Sequence, residues 1–209
     1  MNIEVKINNK KVNYNYAINY MEKRLEEVIK GKKSELLWIL EHNSIYTGGI
    51  RSEKKDILNK NIKVIKTNRG GKHTYHGPGQ KIVYFVLNLN KRKKSIRYLI
   101  DRIENCIVNI LKEYNIKSYP DRKNIGIWVN ERNKSKKIAA IGIRVRKWIA
   151  YHGFCLNIKN ELDPYKKIIP CGILDKKVTN LKKISKVKFD KIDEILISKF
   201  ISNLKNLNA

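Results

Sequence analysis

The chain has 209 residues, of which 42% are hydrophobic, and its formal net charge is +27 because 46 lysines and arginines outnumber 19 acidic residues. This length predicts a single domain, 1–209, with enough apolar residues to fill a core. No apolar run approaches the roughly 18 residues of a membrane-spanning helix, so we expect no association with a membrane. Three cysteines do not make a disulfide framework, and we expect a reducing, cytoplasmic location.

The basic residues are spread along the chain rather than gathered in one arm, with dense groups at 91–94 and 134–137. Such an excess is typical of proteins that bind nucleic acid or another polyanion. The accompanying abundance of asparagine and isoleucine favours a compositional bias of the source proteome instead. Both interpretations stay open, and in either case the surface would attract an acidic partner.

Apolar residues at helical spacing predict three helices. The first covers residues near 14–30, with Gly31 as its stop. The second follows Ser95, its expected N-cap, and carries Cys106 on the apolar stripe, which assigns this cysteine to the core. The last helix carries the apolar residues of 192–204.

Apolar and alternating runs predict strands. The N-terminus alternates as a strand does and lacks the apolar core of a signal peptide. The other predicted strands are residues 36–40, 62–65, 82–89, 125–129, 138–145 and 149–158. Because these strands occur in runs rather than alternating strictly with helices, we expect an α+β fold with a central mixed or antiparallel sheet flanked by helices.

One segment is chemically unusual: residues 69–80, Arg-Gly-Gly-Lys-His-Thr-Tyr-His-Gly-Pro-Gly-Gln, which lie between two predicted strands. Glycine is favoured where the backbone turns sharply or lies close to a ligand. A plain hairpin needs only about two to five connecting residues. This longer connection, the glycine segment, is therefore a candidate binding loop, with an irregular surface loop as the alternative from the pattern alone.

The glycine segment resembles the signature of the octanoyltransferases of lipoate biosynthesis, the lipoyl(octanoyl) transferases. Four further blocks resemble this family in the right order: residues 37–47, 137–145, 151–157 and 170–173. The similarity covers nearly the whole chain. It implies the architecture of biotin and lipoate protein ligase catalytic domains, in which the ligand lies in a tunnel across the central sheet.

The resemblance also implies a reaction. An octanoyl group would pass from octanoyl-acyl carrier protein to a lysine of a lipoyl-accepting domain, through a thioester on an enzyme cysteine. The implied acceptors are the lipoyl domains of 2-oxoacid dehydrogenases and the glycine cleavage H protein. Converting a thioester to an amide is downhill, so neither ATP nor a cofactor is expected.

The resemblance assigns the acyl-carrying cysteine to Cys171, which lies between a proline and a glycine; without it, a buried structural cysteine would be the simpler interpretation. A thiol with an ordinary pKa near about 8.5 is mostly protonated at neutral pH and needs a basic or cationic neighbour. Lys137 is the candidate, because it leads into a strand of small and apolar residues where desolvation favours a neutral amine. In the family this lysine lowers the cysteine pKa. Lys134 and Lys136 are expected to be solvated.

The resemblance places substrate contacts in three segments whose small residues let the backbone approach an acyl chain. The predicted residues are Arg69, Gly70, Gly71, Lys72, His73, Thr74, Tyr75, His76, Ala140, Ile141, Gly142, Gly153, Phe154 and Cys155. Tyr75 and Phe154 are expected to line the tunnel, and His76 and His152 to form polar walls. Position 155 is usually alanine in the family, so Cys155 is either a conservative buried replacement or a second reactive thiol.

Three alternative interpretations fit the sequence less well. His73 and His76, with His152 and Cys171, would supply metal ligands, but spacing by three means little in a glycine-proline loop, and no metal is predicted. An ATP-dependent lipoate or biotin ligase would share the fold, yet the His-Gly-Pro-Gly continuation and the Pro-Cys-Gly cysteine argue against it. A nucleic-acid-binding module would interleave aromatic and basic residues on one sheet face; the aromatic residues here are scattered, so nucleic acid is not expected as a partner.

Overall fold

The computed structural model describes residues 2–170 and 177–205. The strands within these ranges are β1 Ile3–Ile7, β2 Glu35–Leu40, β3 Ile45–Gly48, β4 Val64–Lys66, β5 His73–His76, β6 Gln80–Asn88, β7 Tyr119–Pro120, β8 Ile127–Glu131, β9 Lys134–Arg146, β10 Ile149–Asn157 and β11 Lys177–Val178. The α-helices are α1 Tyr14–Ile29, α2 Ile96–Lys112, α3 Leu181–Ile184 and α4 Ile192–Lys205. In the part of the chain described, no helix combines the length and apolarity needed to cross a membrane.

Most of the strands form one mixed sheet in the order β1-β2-β6-β10-β9-β8-β7, and β11 pairs with β9 beside this path. β1 and β11 run parallel to their neighbours, whereas the other pairs in this sheet are antiparallel. A smaller sheet has the order β4-β3-β5. This architecture confirms the expected α+β fold with a central mixed sheet and flanking helices.

Residues 36–40 of β2 and 82–87 of β6 are apolar without interruption because helices cover both faces of the sheet there. Along β6, alternate residues from Val83 to Leu87 pack in the cluster formed with α2 and α4. The residues between them, together with Ile82, pack in the cluster formed with α1. Burial of each large apolar side chain stabilises the fold by about 1.5–3 kcal/mol, so this two-sided packing fixes the middle of the sheet.

The predicted helix ends are confirmed. The Ser95 side chain accepts a hydrogen bond from the Tyr98 amide at 3.2 Å, which caps the start of α2. Gly31 follows the end of α1 with a φ of +68°, a conformation that glycine adopts without strain. Cys106 is buried on α2, and burial raises the pKa of its thiol to about 12.

The structure differs from the prediction in several places. For example, β4 covers 64–66 rather than 62–65, and β9 begins at Lys134 rather than Ile138. Residues 73–76 of the glycine segment are not an irregular loop but the strand β5, antiparallel to β3. This strand was missed because it is short and lacks an apolar run. In addition, β8 begins at Ile127 rather than Ile125, since Gly126 has a φ of +132° immediately before it.

The tight contact between β6 and β10 predicts that Gly153 cannot be replaced. A Cβ atom at Gly153 would lie 1.9 Å from the carbonyl oxygen of Val83, which is backbone of the neighbouring central strand. Gly153→Ala should therefore lower the free energy of unfolding by about 3 kcal/mol, measured by urea denaturation.

Gly31→Ala is the matched control. Its added Cβ meets nothing within 4 Å, so only the positive φ opposes it, at a cost of about 1–2 kcal/mol. A Gly153→Ala variant no less stable than Gly31→Ala would contradict the proposed clash.

Candidate active site

A cavity of about 580 Å³ lies where the glycine segment crosses the central sheet. Its walls come from that segment, from β6, β9 and β10, from the start of α2 and from the loop before β8. Cavities of about 300–1,000 Å³ are typical of small-molecule sites. It is therefore the candidate active site.

Nearly all of the predicted substrate-contact residues line this cavity. They are residues 69–74 and 76 of the glycine segment, 140–142 of β9 and 153–155 of β10. Among the described residues of that prediction, Tyr75 alone is absent from the walls: its ring packs against Tyr46 and Tyr165, and its hydroxyl lies 2.9 Å from Ser44 Oγ. The smaller sheet thus holds Tyr75 away from the cavity.

Other wall residues gave no functional signal in the sequence. Tyr14 lies at the start of α1, and Ile82 and Tyr84 lie on β6. Helical spacing and an apolar strand run assign all three to the core, and they do pack there. They also reach the cavity because the glycine segment leaves a gap above that part of the sheet, which no local pattern reveals.

Backbone contact holds the glycine segment against β9. The Gly70 amide donates to the Ile143 carbonyl at 3.1 Å, and a Cβ atom at Gly70 would lie 2.9 Å from that same oxygen. Glycine is therefore required for the approach. The Arg69 guanidinium donates to the carbonyl and hydroxyl oxygens of Thr47, at 2.9 and 2.8 Å, and to the Gly70 carbonyl at 2.9 Å. This planar fork joins the glycine segment to β3.

Lys137 differs from the lysines beside it. Its side chain is buried in the cavity wall, where Nζ donates to the Ile125 carbonyl at 3.0 Å and lies 4.8 Å from the centre of the Trp128 ring. Lys136 instead forms an ion pair with Glu131 at 2.9 Å, and Lys134 is exposed. Of these three lysines, only Lys137 reaches the cavity.

The predicted nucleophile, Cys171, lies outside the described residues. The chain that follows it returns to the candidate site: Val178 pairs with Lys137 in β11, and the Thr179 amide donates to the Lys137 carbonyl at 2.9 Å. Cys155 is a buried thiol in the cavity wall, on β10 opposite Ala140.

His73 and His76 each bond to the protein. His73 Nε2 donates to the Glu53 carbonyl at 2.9 Å, and His76 Nδ1 lies 2.7 Å from Gln80 Oε1. Within residues 2–170 and 177–205, no cluster of three or more histidine, cysteine, aspartate or glutamate side chains is arranged to hold a metal ion.

Three buried histidines have pKa values far below the ordinary value. Burial lowers the pKa of His42 to about 4. Burial, the neighbouring His42 and Arg69 lower the pKa of His76 to about 3. Burial, Arg69 and Arg144 lower the pKa of His152 to about 3. All three imidazoles are neutral at physiological pH and can serve as uncharged hydrogen-bonding groups.

Comparisons with known proteins agree with the family resemblance seen in the sequence. The chain matches the family model described as lipoyl protein ligase A/B catalytic domain over residues 13–201. The octanoyltransferase of Wolbachia sp. subsp. Brugia malayi is 44% identical over 200 residues, covering 95% of this chain and 98% of the relative. The octanoyltransferase of Ehrlichia chaffeensis is 43% identical over 209 residues, covering 99% of this chain and 98% of the relative.

Solved structures agree on the fold. Lipoate-protein ligase A bound with ATP has a TM-score of 0.71 at 17% identity, covering 97% of this chain and 86% of that one. A bipartite lipoate protein ligase from Thermoplasma acidophilum has a TM-score of 0.73 at 16% identity, covering 98% and 84%. At this level of identity the likeness concerns the fold alone.

The family match, in agreement with the fold, defines a catalytic domain of the lipoyl protein ligase A/B type. The chain belongs to this family and, within it, to the octanoyltransferases, which makes the protein an acyltransferase. The family resemblance drawn from the five sequence blocks is confirmed.

The buried histidines predict that acid destabilises the fold. Above about pH 6.5 the three imidazoles are neutral in both the folded and the unfolded state. Below about pH 6.5 the unfolded chain binds protons on these histidines, whereas the folded protein does not bind them until about pH 3–4. Each should therefore remove roughly 1.5 kcal/mol of unfolding free energy between about pH 6.5 and pH 5. Urea denaturation across this range measures the loss.

The His42→Gln variant isolates one contribution. It should lose less stability than the parent on acidification, by roughly the 1.5 kcal/mol of one histidine. Ser44→Ala, which removes no titratable group, should follow the parent. A His42→Gln variant with the parent's pH slope would contradict the assignment.

Proposed function

We propose that the protein transfers an octanoyl group from octanoyl-acyl carrier protein to a lysine of a lipoyl-accepting domain, through an acyl thioester on Cys171. The observation that carries the proposal is Lys137: a lysine buried in the wall of the cavity, adjacent to the strand that follows the Cys171 segment. The octanoyltransferase relatives, similar over nearly the whole chain, support the same reaction.

The cavity suits a medium acyl chain. Ile82, Ala140, Ile141 and Phe154 give it apolar walls, and the crossing of the glycine segment over β9 covers part of it. Apolar contact with the chain provides binding free energy in proportion to the area buried. A reaction site covered in this way also limits hydrolysis of an acyl thioester by water.

In the first step, the Cys171 thiolate attacks the carbonyl carbon of the donor thioester. A sulfur–carbon bond to the enzyme forms, the bond to the donor sulfur breaks, and the departing thiolate takes up a proton. Lys137 donates a hydrogen bond to the Ile125 carbonyl and lies near an indole face, contacts that suit an ammonium group. A cation there would stabilise the thiolate and so activate the nucleophile.

In the second step, the neutral amine of the acceptor lysine attacks the enzyme thioester. The amide bond forms, the Cys171 sulfur leaves as a thiolate, and the amine gives up one proton to it. Two transfers at one cysteine replace a direct reaction between two large proteins, each of which docks in turn. No phosphoanhydride is consumed, because a thioester is already an activated acyl group.

The charge of the chain fits an acidic donor. A net charge of +27 accelerates the approach of a negatively charged carrier protein, whatever the evolutionary origin of the excess. Arg51, Arg122 and Lys123 line the cavity. They would be available to the phosphate of a phosphopantetheine arm that delivers the acyl group.

The first test is a mass measurement on intact protein incubated with octanoyl-acyl carrier protein in the absence of ATP. The parent should gain one octanoyl group on Cys171 and pass it to a lipoyl domain when that domain is added. Cys171→Ser should lose the thioester and slow transfer by more than about a hundredfold.

Cys106→Ala is the matched control, because Cys106 is a core residue of α2 and should not affect the adduct. An adduct on Cys155 would instead assign the nucleophile to β10. An absolute requirement for ATP would favour the ligase reaction instead.

The second test concerns Lys137. Lys137→Ala should raise the pKa of the Cys171 thiol and slow its alkylation by iodoacetamide near neutral pH, by about tenfold, because the proposed stabilising cation is lost. Alkylation is followed on the peptide that contains Cys171.

Lys134→Ala and Lys136→Ala are the controls, since their ammonium groups do not line the cavity. Both should alkylate at the parent's rate. Identical thiol titrations in all three variants would remove Lys137 from the proposed mechanism.

A further inference from the structure

Behind His76 lies a buried cluster of polar side chains to which the proposed reaction assigns no part. It consists of Gln80, Asn157 and Tyr165, whose residues are between 0% and 7% exposed. Gln80 Nε2 lies 2.7 Å from Asn157 Oδ1 and 2.9 Å from the Tyr165 hydroxyl, and Gln80 Oε1 lies 2.7 Å from His76 Nδ1. Burying so many polar groups is costly unless each is paired, and here they pair with one another.

Two backbone carbonyls, which can only accept, fix the direction of the hydrogen bonds that orient Gln80. Asn157 Nδ2 donates to the Thr179 carbonyl at 3.0 Å, so Asn157 Oδ1 must face Gln80. The Tyr165 hydroxyl donates to the Tyr75 carbonyl at 3.0 Å, so its oxygen accepts from Gln80 Nε2. Both constraints turn the Gln80 amide so that Oε1 faces His76.

The orientation of Gln80 determines which nitrogen of the His76 imidazole carries the proton. Because Gln80 Oε1 accepts, His76 Nδ1 must carry the proton, and Nε2 of the neutral ring keeps its lone pair. His76 lines the cavity, and among the described residues Nε2 has no hydrogen-bond partner in the protein. His76 Nε2 is thus available to accept a hydrogen bond from a ligand in the cavity.

The surroundings of His76 keep its ring neutral over a wide pH range. The groups that face it are the ring of His42 at 6.1 Å, the ring of Tyr14 at 6.4 Å, Gln80, and the charge of Arg69. Burial first, and then His42 and Arg69, lower the pKa of His76 to about 3, although the hydrogen bond to Gln80 acts in the opposite direction; the ring therefore stays neutral at physiological pH.

We infer that Gln80 is a positioning residue, held by Asn157 and Tyr165, that fixes His76 in the tautomer with the proton on Nδ1, so that Nε2 is a permanent hydrogen-bond acceptor in the acyl site. Its ligand is the polar hydrogen of a reacting nucleophile, either the thiol that becomes acylated or the amine that removes the acyl group. This ligand rests on the proposed function, whereas the tautomer does not.

In the reaction, His76 would act only as a hydrogen-bond acceptor. As the amine nitrogen attacks the thioester it gains positive charge, and its N–H becomes a stronger donor; a fixed neutral acceptor then stabilises the transition state more than the ground state. The proton itself still passes to the departing thiolate, so His76 need not be protonated at any stage. The same argument applies to a thiol that loses its proton during acylation.

The tautomer is measured by nitrogen NMR on protein with ¹⁵N-labelled histidine, with His76 assigned from a His76→Gln sample. The parent should show a protonated Nδ1 and an unprotonated Nε2 at His76, unchanged from about pH 8 to pH 6. Gln80→Met, which has the same length but no acceptor, should lose this preference. A protonated Nε2 in the parent would overturn the inference outright.

Gln80→Glu serves as a second variant in case Gln80→Met does not fold. Its carboxylate still accepts from Nδ1, but the negative charge raises the pKa of His76. Nε2 should therefore be free of its proton at about pH 8 and become protonated as the pH falls toward 6, and the transfer rate should fall with it. A transfer rate that stays constant while Nε2 of His76 becomes protonated would overturn the proposed role of His76 in the reaction.

Single-turnover kinetics separate the two nucleophiles. If the ligand is the thiol, Gln80→Met should slow formation of the acyl-enzyme by about tenfold or more; if it is the amine, it should slow transfer to the lipoyl domain by that factor. A variant that loses the tautomer yet keeps both rates would overturn the role of His76. A parent that forms no acyl-enzyme would refute the proposed function while leaving the NMR result intact.

Ser44→Ala is the matched control. It removes a hydrogen bond of similar length to the Tyr75 hydroxyl, in the same aromatic neighbourhood, without touching Gln80 or His76. Its His76 resonances and both rates should equal those of the parent. If Ser44→Ala changed them as much as Gln80→Met does, the effect would be one of packing and the inference would fall.

Discussion

The close backbone approach between the glycine segment and β9 is the constraint on which the site depends. The hydrogen bond from the Gly70 amide to the Ile143 carbonyl, at 3.1 Å, leaves no space for a side chain at position 70. The crossing creates the cavity, and the Arg69 guanidinium secures it by joining the segment to Thr47 of β3. In the smaller sheet, β5 pairs in register with β3, and this pairing places His76 opposite Ile45.

The electrostatics of the cavity follow from burial. A chain with a net charge of +27 places uncharged imidazoles at His76 and His152 in the cavity wall, because burial in the company of Arg69 opposes their protonation. Lys137, which is also buried, contacts a backbone carbonyl and an indole ring. The general excess of basic residues also reaches the cavity, where Arg51, Arg122 and Lys123 are part of the wall.

The sequence predicted those features that depend on local patterns. The helical spacing of apolar residues located α1, α2 and α4, and the Ser95 cap followed from the residue type before the run. The long central strands followed from apolar runs. β5 could not be found in this way, because its four residues include two histidines and its stability comes from β3, which lies well before it in the chain. The placement of Tyr75 away from the cavity follows from the same unpredicted pairing.

Long-range polar contacts were equally hidden. Gln80 ended the glycine segment without an evident role, because its partners Asn157 and Tyr165 come 77 and 85 residues later. These partners give the network its significance. Tyr165 precedes the segment that contains Cys171, and Thr179, to which Asn157 donates, follows it. One buried amide therefore ties the two flanks of that segment to a histidine in the cavity wall. The carbonyls of Thr179 and Tyr75 thus set the direction of the bonds on which the proposed tautomer of His76 rests.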